Sequence, residues 1–80
     1  MQVHAAHSYL VGQFLSPLSN KREDIWGGDL NNRMRFLREV SAAVREQVGP
    51  DYPLLIKLGM MDGREDGLTL DEGLRVVAVL

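Results

Sequence analysis

An 80-residue chain with 45% apolar residues and a formal charge of −2 has room for one small domain. Its acidic and basic residues are interspersed, which excludes the one-sided basic footprint of a nucleic-acid binder. No apolar run approaches the ~18 residues of a membrane span. With no cysteine it forms no disulfide, thiolate zinc site or thiol nucleophile. Its start lacks the cationic lead and apolar core of a signal peptide, so a cytoplasmic protein is expected.

Met1 to Ala6 has the character of a strand end, apolar from Val3 and broken by His4. Ser8 to Gly28 then form a long irregular connection, carrying Gly12, Pro17 and the Gly27-Gly28 pair. A connection of that length is expected to be a functional loop. Within it Asn20-Lys21-Arg22 is followed at once by Glu23-Asp24, the pattern of a solvated loop and not of a phosphate groove. Gly27-Gly28 lacks a glycine-rich phosphate fingerprint and is a turn signal.

Asp29 is placed to cap a helix. Met34, Leu37, Val40, Val44 and Val48 give that helix an apolar stripe, with Arg33, Arg35, Arg38, Arg45 and Glu46 mostly off it. Gly49-Pro50 stops it. Leu54 to Leu58 is short and almost wholly apolar, which predicts a strand buried on both faces, as in parallel sheets covered by helices. A polar loop from Asp62 to Gly67 leads to Thr69 and Glu72, a capping box. Leu70, Leu74 and Val77 begin the apolar face of a last helix.

Strand, loop and helix thus occur twice in order, the signature of an α/β fold with parallel strands. Two such units cannot close a barrel, so residues 1–80 are expected to be a partial domain, incomplete at both ends. They would form about a quarter of a (β/α)8 TIM barrel.

Chemistry in such a barrel gathers where strands open into loops at the C-terminal face. His4 lies near the end of the first strand, His7 and Tyr9 just beyond it, and Lys57 near the end of the second. Two imidazoles and a phenol together can grip a substrate oxygen and deliver a proton beside it. Each residue also has a plainer role. The histidines could bond loop backbone, or ligate zinc, although no third ligand stands at a telling spacing. Tyr9 could simply pack. Lys57, inside an apolar strand, must bring its charge to water, a partner or an anion.

The stretch His4-Ala5-Ala6-His7-Ser8-Tyr9-Leu10 continues through Gln13-Phe14-Leu15-Ser16-Pro17, Asn20-Lys21-Arg22, Trp26-Gly27-Gly28, Asn32-Arg33 and Arg35-Phe36. Together with Val44, Leu54 to Leu58 and Gly67-Leu68-Thr69, it resembles the old yellow enzyme family of FMN-dependent NAD(P)H oxidoreductases. The double-histidine form is most similar to the 2,4-dienoyl-CoA reductase-like and NADH:flavin oxidoreductase branch. The resemblance implies a TIM barrel, of which this chain would supply the fourth and fifth βα units. It also implies FMN, NAD(P)H as reductant and an activated alkene, such as an enone, as the small-molecule substrate.

By the same resemblance, His4 and His7 bind the substrate oxygen, Tyr9 donates the proton, and Lys57 meets the flavin. An iron–sulfur cluster would belong only to a longer parent, and the rest of the barrel would be needed for folding and FMN binding. Three residues depart from the family pattern: Ser8 stands for the usual glycine, Lys57 for the common arginine and Trp26 for a common tyrosine. The alternative reading is a non-catalytic α/β fragment that binds no FMN alone.

Overall fold

Two short parallel strands carry the fold in a computed structural model that describes residues 1–7, 9–64 and 66–80. Strand β1 (Gln2–Ala5) pairs with β2 (Leu55–Leu58), with Gln2 opposite Leu55, Val3 opposite Ile56, His4 opposite Lys57 and Ala5 opposite Leu58. The ladder is closed at its two ends by Leu55 N–H to Met1 C=O (2.9 Å) and Gly59 N–H to Ala5 C=O (3.0 Å). Parallel strands need a long crossover. It is made by helices α1 (Leu10–Leu15), α2 (Leu30–Arg33) and α3 (Arg35–Val48), and α4 (Leu70–Val79) follows β2.

Side chains alternate across a strand, so the register sorts the sheet into two faces. Val3 and Ala5 are buried, and with half-buried Ile56 and Leu58 they meet the helices. Leu15, Met34, Leu37, Leu68 and Val76 complete that core. Gln2, His4, Leu55 and Lys57 occupy the other face, where Leu55 is 65% exposed. Of the two faces expected to be buried on the second strand, the described residues cover the helix-facing one, and the other is open among them. Among the described residues, no helix is long and apolar enough to cross a membrane.

The connection expected to be irregular from Ser8 to Gly28 contains α1. Its one and a half turns carry Gly12, the residue that signals a loop. That glycine lies 3.5–3.6 Å, in added-Cβ terms, from the backbone of Ala5 and Ala6, so the helix rests on the strand end. The expected helix after Asp29 is two helices. The Asp29 carboxylate accepts from Asn32 N–H at 2.9 Å as the cap of α2. Met34 then ends α2 and begins α3 with ψ near −2°, a break that no glycine or proline announces. Gly49 ends α3 as expected, its N–H bonding Arg45 C=O at 3.0 Å.

Arg33 is the last residue of α2 at this break. Its side chain, expected among the outward-facing residues, is 4% exposed and ion-paired with Glu72 of α4. One guanidinium nitrogen also reaches Leu15 C=O at the end of α1, at 3.5 Å. Glu72 is at the same time the reaching-back member of the capping box, receiving Thr69 N–H at 3.3 Å while Glu72 N–H bonds the Thr69 hydroxyl at 3.2 Å. A single carboxylate therefore starts α4 and neutralises the charge under α1 and α2.

Gly73 completes this corner. A Cβ there would lie 2.2 Å from Met60 O and 2.9 Å from Met60 C, both backbone atoms, so α4 can approach the end of β2 only without a side chain.

Two outcomes follow for thermal unfolding of the full-length protein. Gly73→Ala should lower the midpoint, because overpacking of about 1–3 kcal/mol exceeds the roughly 1 kcal/mol helix-propensity gain of alanine. An unchanged or raised midpoint would show that α4 does not need this approach. Glu72→Gln keeps a capping side chain but leaves the Arg33 charge unbalanced. It should cost about 1.5–3 kcal/mol, the scale of a hydrogen bond to a charged group, whereas a silent Glu72→Gln would reduce the pair to a packing contact.

Candidate active site

Because the strands are parallel, β1 and β2 end on the same side, and their penultimate residues are His4 and Lys57. These two stand level in the register and share the open face of the sheet. Lys57 is exposed and forms no ion pair among the described residues.

His4 is half-buried, and its Nδ1 accepts a hydrogen bond from Ala6 N–H at 3.3 Å. In a neutral imidazole that acceptor role puts the proton on Nε2, leaving a donor free to meet a ligand oxygen. The His7 ring lies 5.7 Å from the His4 ring at 59°, and the Tyr9 ring 5.2 Å away, edge-on at 88°. The three side chains, close in sequence, are thus also close in space, with the His7 and Tyr9 rings both beside His4.

The turn that achieves this is strained at His7, whose φ of 55° lies in the left-handed region. Such a conformation costs a non-glycine residue on the order of 1–3 kcal/mol. It is held by Tyr9 N–H bonding Ala6 C=O at 3.3 Å, and by Tyr9 itself serving as N-cap of α1, its C=O accepting from Gln13 N–H at 2.8 Å. Ser8, where the family pattern has glycine, lies outside the described residues. The left-handed position in the described part of this turn belongs to His7. The Tyr9 side chain is 64% exposed.

A cavity of about 590 Å³ opens beside the cluster, lined by His7, Gly12, Ser16, Lys57, Gly59 and Asp62 among others. It lies between the two loops that leave the strands. No group of three or more His, Cys, Asp or Glu side chains among the described residues could hold a metal ion.

The long loop after α1 is ordered by polar side chains that sequence reasoning assigned to solvent. Asn20 is buried, and its amide donates to Phe14 C=O at 2.6 Å and Trp26 C=O at 2.8 Å while its oxygen accepts from Arg22 N–H at 3.1 Å. Lys21 to Asp24 are exposed as expected, yet Arg22 and Asp24 form a two-pronged pair at 3.0 and 2.5 Å. That hydrogen-bonded guanidinium, joined by Trp26 N–H, holds the Asp24 carboxyl below the usual carboxylate range. The Phe14, Trp26 and Phe36 rings pack on one another, with Phe14 and Phe36 stacked at 4.4 Å. Trp26 thus has a packing role in the loop.

Comparison with known proteins gives the family. The family model described as NADH:flavin oxidoreductase / NADH oxidase family matches residues 1–80. An NADH oxidase of Thermoanaerobacter brockii is 41% identical over 80 residues, covering 100% of this chain and 12% of that protein. An NADPH dehydrogenase of Clostridium acetobutylicum is 43% identical over 81 residues, covering 100% of this chain and 24% of that protein. The chain therefore spans between an eighth and a quarter of these relatives' lengths. Among solved structures, a 2-naphthoyl-CoA reductase in complex with 2-naphthoyl-CoA superposes with a TM-score of 0.93 at 44% identity, over 98% of this chain and 12% of that one. With its whole length matched, the chain belongs to the NADH:flavin oxidoreductase / NADH oxidase family, the old yellow enzyme family.

Proposed function

We propose that this chain contributes the fourth and fifth βα units of an FMN-binding TIM-barrel domain, and with them the proton-donating and oxygen-binding side of an alkene reductase. The observation that carries the reading is the register that sets His4 level with Lys57 on one sheet face, with His7 and Tyr9 ringed around His4. Family membership and the NADH- and NADPH-named relatives support the cofactor pair. The neighbour solved with a CoA thioester supports a small-molecule substrate that carries a carbonyl.

The donor set fits one edge of FMN: an ammonium without a carboxylate partner among the described residues, on the same face as exposed Leu55. When bound, FMN supplies the redox chemistry, relaying reducing equivalents from NAD(P)H to an activated alkene such as an enone. Lys57 would hold the electron-rich edge of the ring and offset its negative charge. Its contact is a single point, without the planar fork of an arginine.

His4 donates from Nε2 to the substrate carbonyl oxygen, and His7 joins it, so that negative charge growing on that oxygen meets two fixed donors. Tyr9, exposed beside them, gives its phenolic proton to the α-carbon and is reprotonated from water. The His7 strain fits this role, since it turns the ring toward His4 and starts α1 with Tyr9 as its cap.

Two substitutions in the full-length, FMN-loaded protein test the assignment. Tyr9→Phe should slow alkene reduction by about 10²-fold or more, the scale of a general acid, while flavin reduction by NAD(P)H stays near its original rate. Equal losses in both half-reactions by stopped flow would remove Tyr9 from the donor role. Lys57→Met should weaken FMN binding or move its reduction potential to more negative values. An unaltered flavin spectrum, affinity and potential would remove Lys57 from the cofactor.

A further inference from the structure

We infer that Asp62 is a positioning residue for Tyr9, acting through Ser16 and helix α1; the inference rests on the proton-donor role proposed for Tyr9. Asp62 lies in the loop after β2, far in sequence from the histidine turn. Its Oδ2 accepts from the Ser16 hydroxyl at 2.5 Å and from Leu68 N–H at 2.6 Å. Its own N–H donates to Leu68 C=O at 2.9 Å. The loop from Asp62 to Leu68 is thus closed on itself by two backbone groups and tied across to α1 by one side chain.

The tie falls at a telling place. Ser16 is the C-cap of α1 and Tyr9 is its N-cap, so the six-residue helix is a short rigid lever with the clamp at one end and the phenol at the other. Ser16 N–H bonds Gly12 C=O at 3.1 Å, and the Ser16 hydroxyl also accepts from Leu18 N–H at 3.2 Å. The hydroxyl thus fixes both the helix end and the chain leaving it. On the other side, Gly67 closes against the carboxylate: a Cβ there would lie 2.7 Å from both Cβ and Oδ2 of Asp62. The cavity beside the cluster is lined by Ser16, Asp62, His7 and Lys57, so the clamp bridges the two loops that bear the site.

The C-terminal end of α1 is also held by packing of Leu15, the long contact from Arg33, the Asn20 amide on Phe14 C=O at 2.6 Å and Asn20 N–H on Ser16 C=O at 2.8 Å. The Asp62 bond adds to these a tie to the loop after β2. A change in tilt would displace Tyr9 while leaving Lys57 on its strand. A proton donor displaced by about 1 Å loses on the order of 10²-fold in rate. Asp62 touches neither ring and is assigned no chemical step.

The test uses the full-length, FMN-loaded protein with Asp62→Ala, Ser16→Ala and Asp62→Asn, each alone and the first two also with Tyr9→Phe. Asp62→Ala and Ser16→Ala should each slow the alkene half-reaction about ten-fold or more, with flavin reduction by NAD(P)H and the flavin potential little changed. Asp62→Asn should recover most of the rate, because one amide oxygen can accept from both donors. In the Tyr9→Phe background the clamp substitutions should cost little further, since the residue they position no longer donates.

Losses that are equal in both half-reactions, or that multiply fully with Tyr9→Phe, would make the clamp merely structural and overturn the inference alone. So would a slow Tyr9→Phe accompanied by normal Ser16→Ala and Asp62→Ala rates. A Tyr9→Phe protein as fast as the original would overturn the donor role and this inference together. Should Asp62→Ala fail to fold, Ser16→Ala removes the same bond and decides the matter.

Discussion

Every feature of the site depends on the register of two four-residue parallel strands. A shift of one residue in β1 would move its side chains to opposite faces. Val3 and Ala5, now buried against Leu15, Leu37 and Val76, would face outward, and His4 would enter an apolar core with no partner for its second nitrogen. Transfer of Val3 alone would cost roughly 1.5–3 kcal/mol. An unpartnered imidazole N–H would add about 1–3 kcal/mol. The apolar helix-facing side chains therefore hold His4 opposite Lys57, and the placement of both on the open face is fixed by packing on the other.

Beyond the strands, order comes from polar side chains satisfying backbone groups. Asn20 ties together Phe14, Trp26 and Arg22, so a long loop is closed without a core of its own. Asp24 works similarly but in water. Its lowered carboxyl pKa means that its contribution to stability is present above the ordinary carboxylate range and fades as pH falls through the depressed value. The buried members of this set, Asn20 and Arg33, place the helices, and the exposed pair only shapes a turn.

Much of this was readable in the chain because its signals are local. Asp29, Gly49 and the Thr69–Glu72 box act within one helical turn, and each marks its boundary. The His4, His7 and Tyr9 cluster is likewise a matter of adjacent residues at a strand end. What escaped is long-range. Arg33 looks like one of several surface arginines until Glu72, 39 residues later, is seen to reach it. Ser16 and Asp62 lie 46 residues apart, and neither spacing nor composition links them. Helix α1 was hidden for another reason: Gly12 is a loop signal in isolation and a packing residue once the end of β1 lies beneath it. Of these residues the family resemblance carried Ser16 and Arg33, without explaining them.

The open face itself constrains what can cover it. Leu55 and Lys57 lie two residues apart on the same side of β2, one 65% exposed and apolar, the other charged. An apolar cover would gain from Leu55 but would strip water from the Lys57 ammonium, at a cost that grows steeply unless an anion is supplied. A purely polar cover would solvate Lys57 and waste Leu55. A flat aromatic group with negative charge along one edge satisfies both, with apolar surface over the leucine and charge against the lysine. His4, level with Lys57, then borders that group from the neighbouring strand with its Nε2 donor free. The pairing of residues on two adjacent strands is thus compatible with the kind of ligand that the proposed function names.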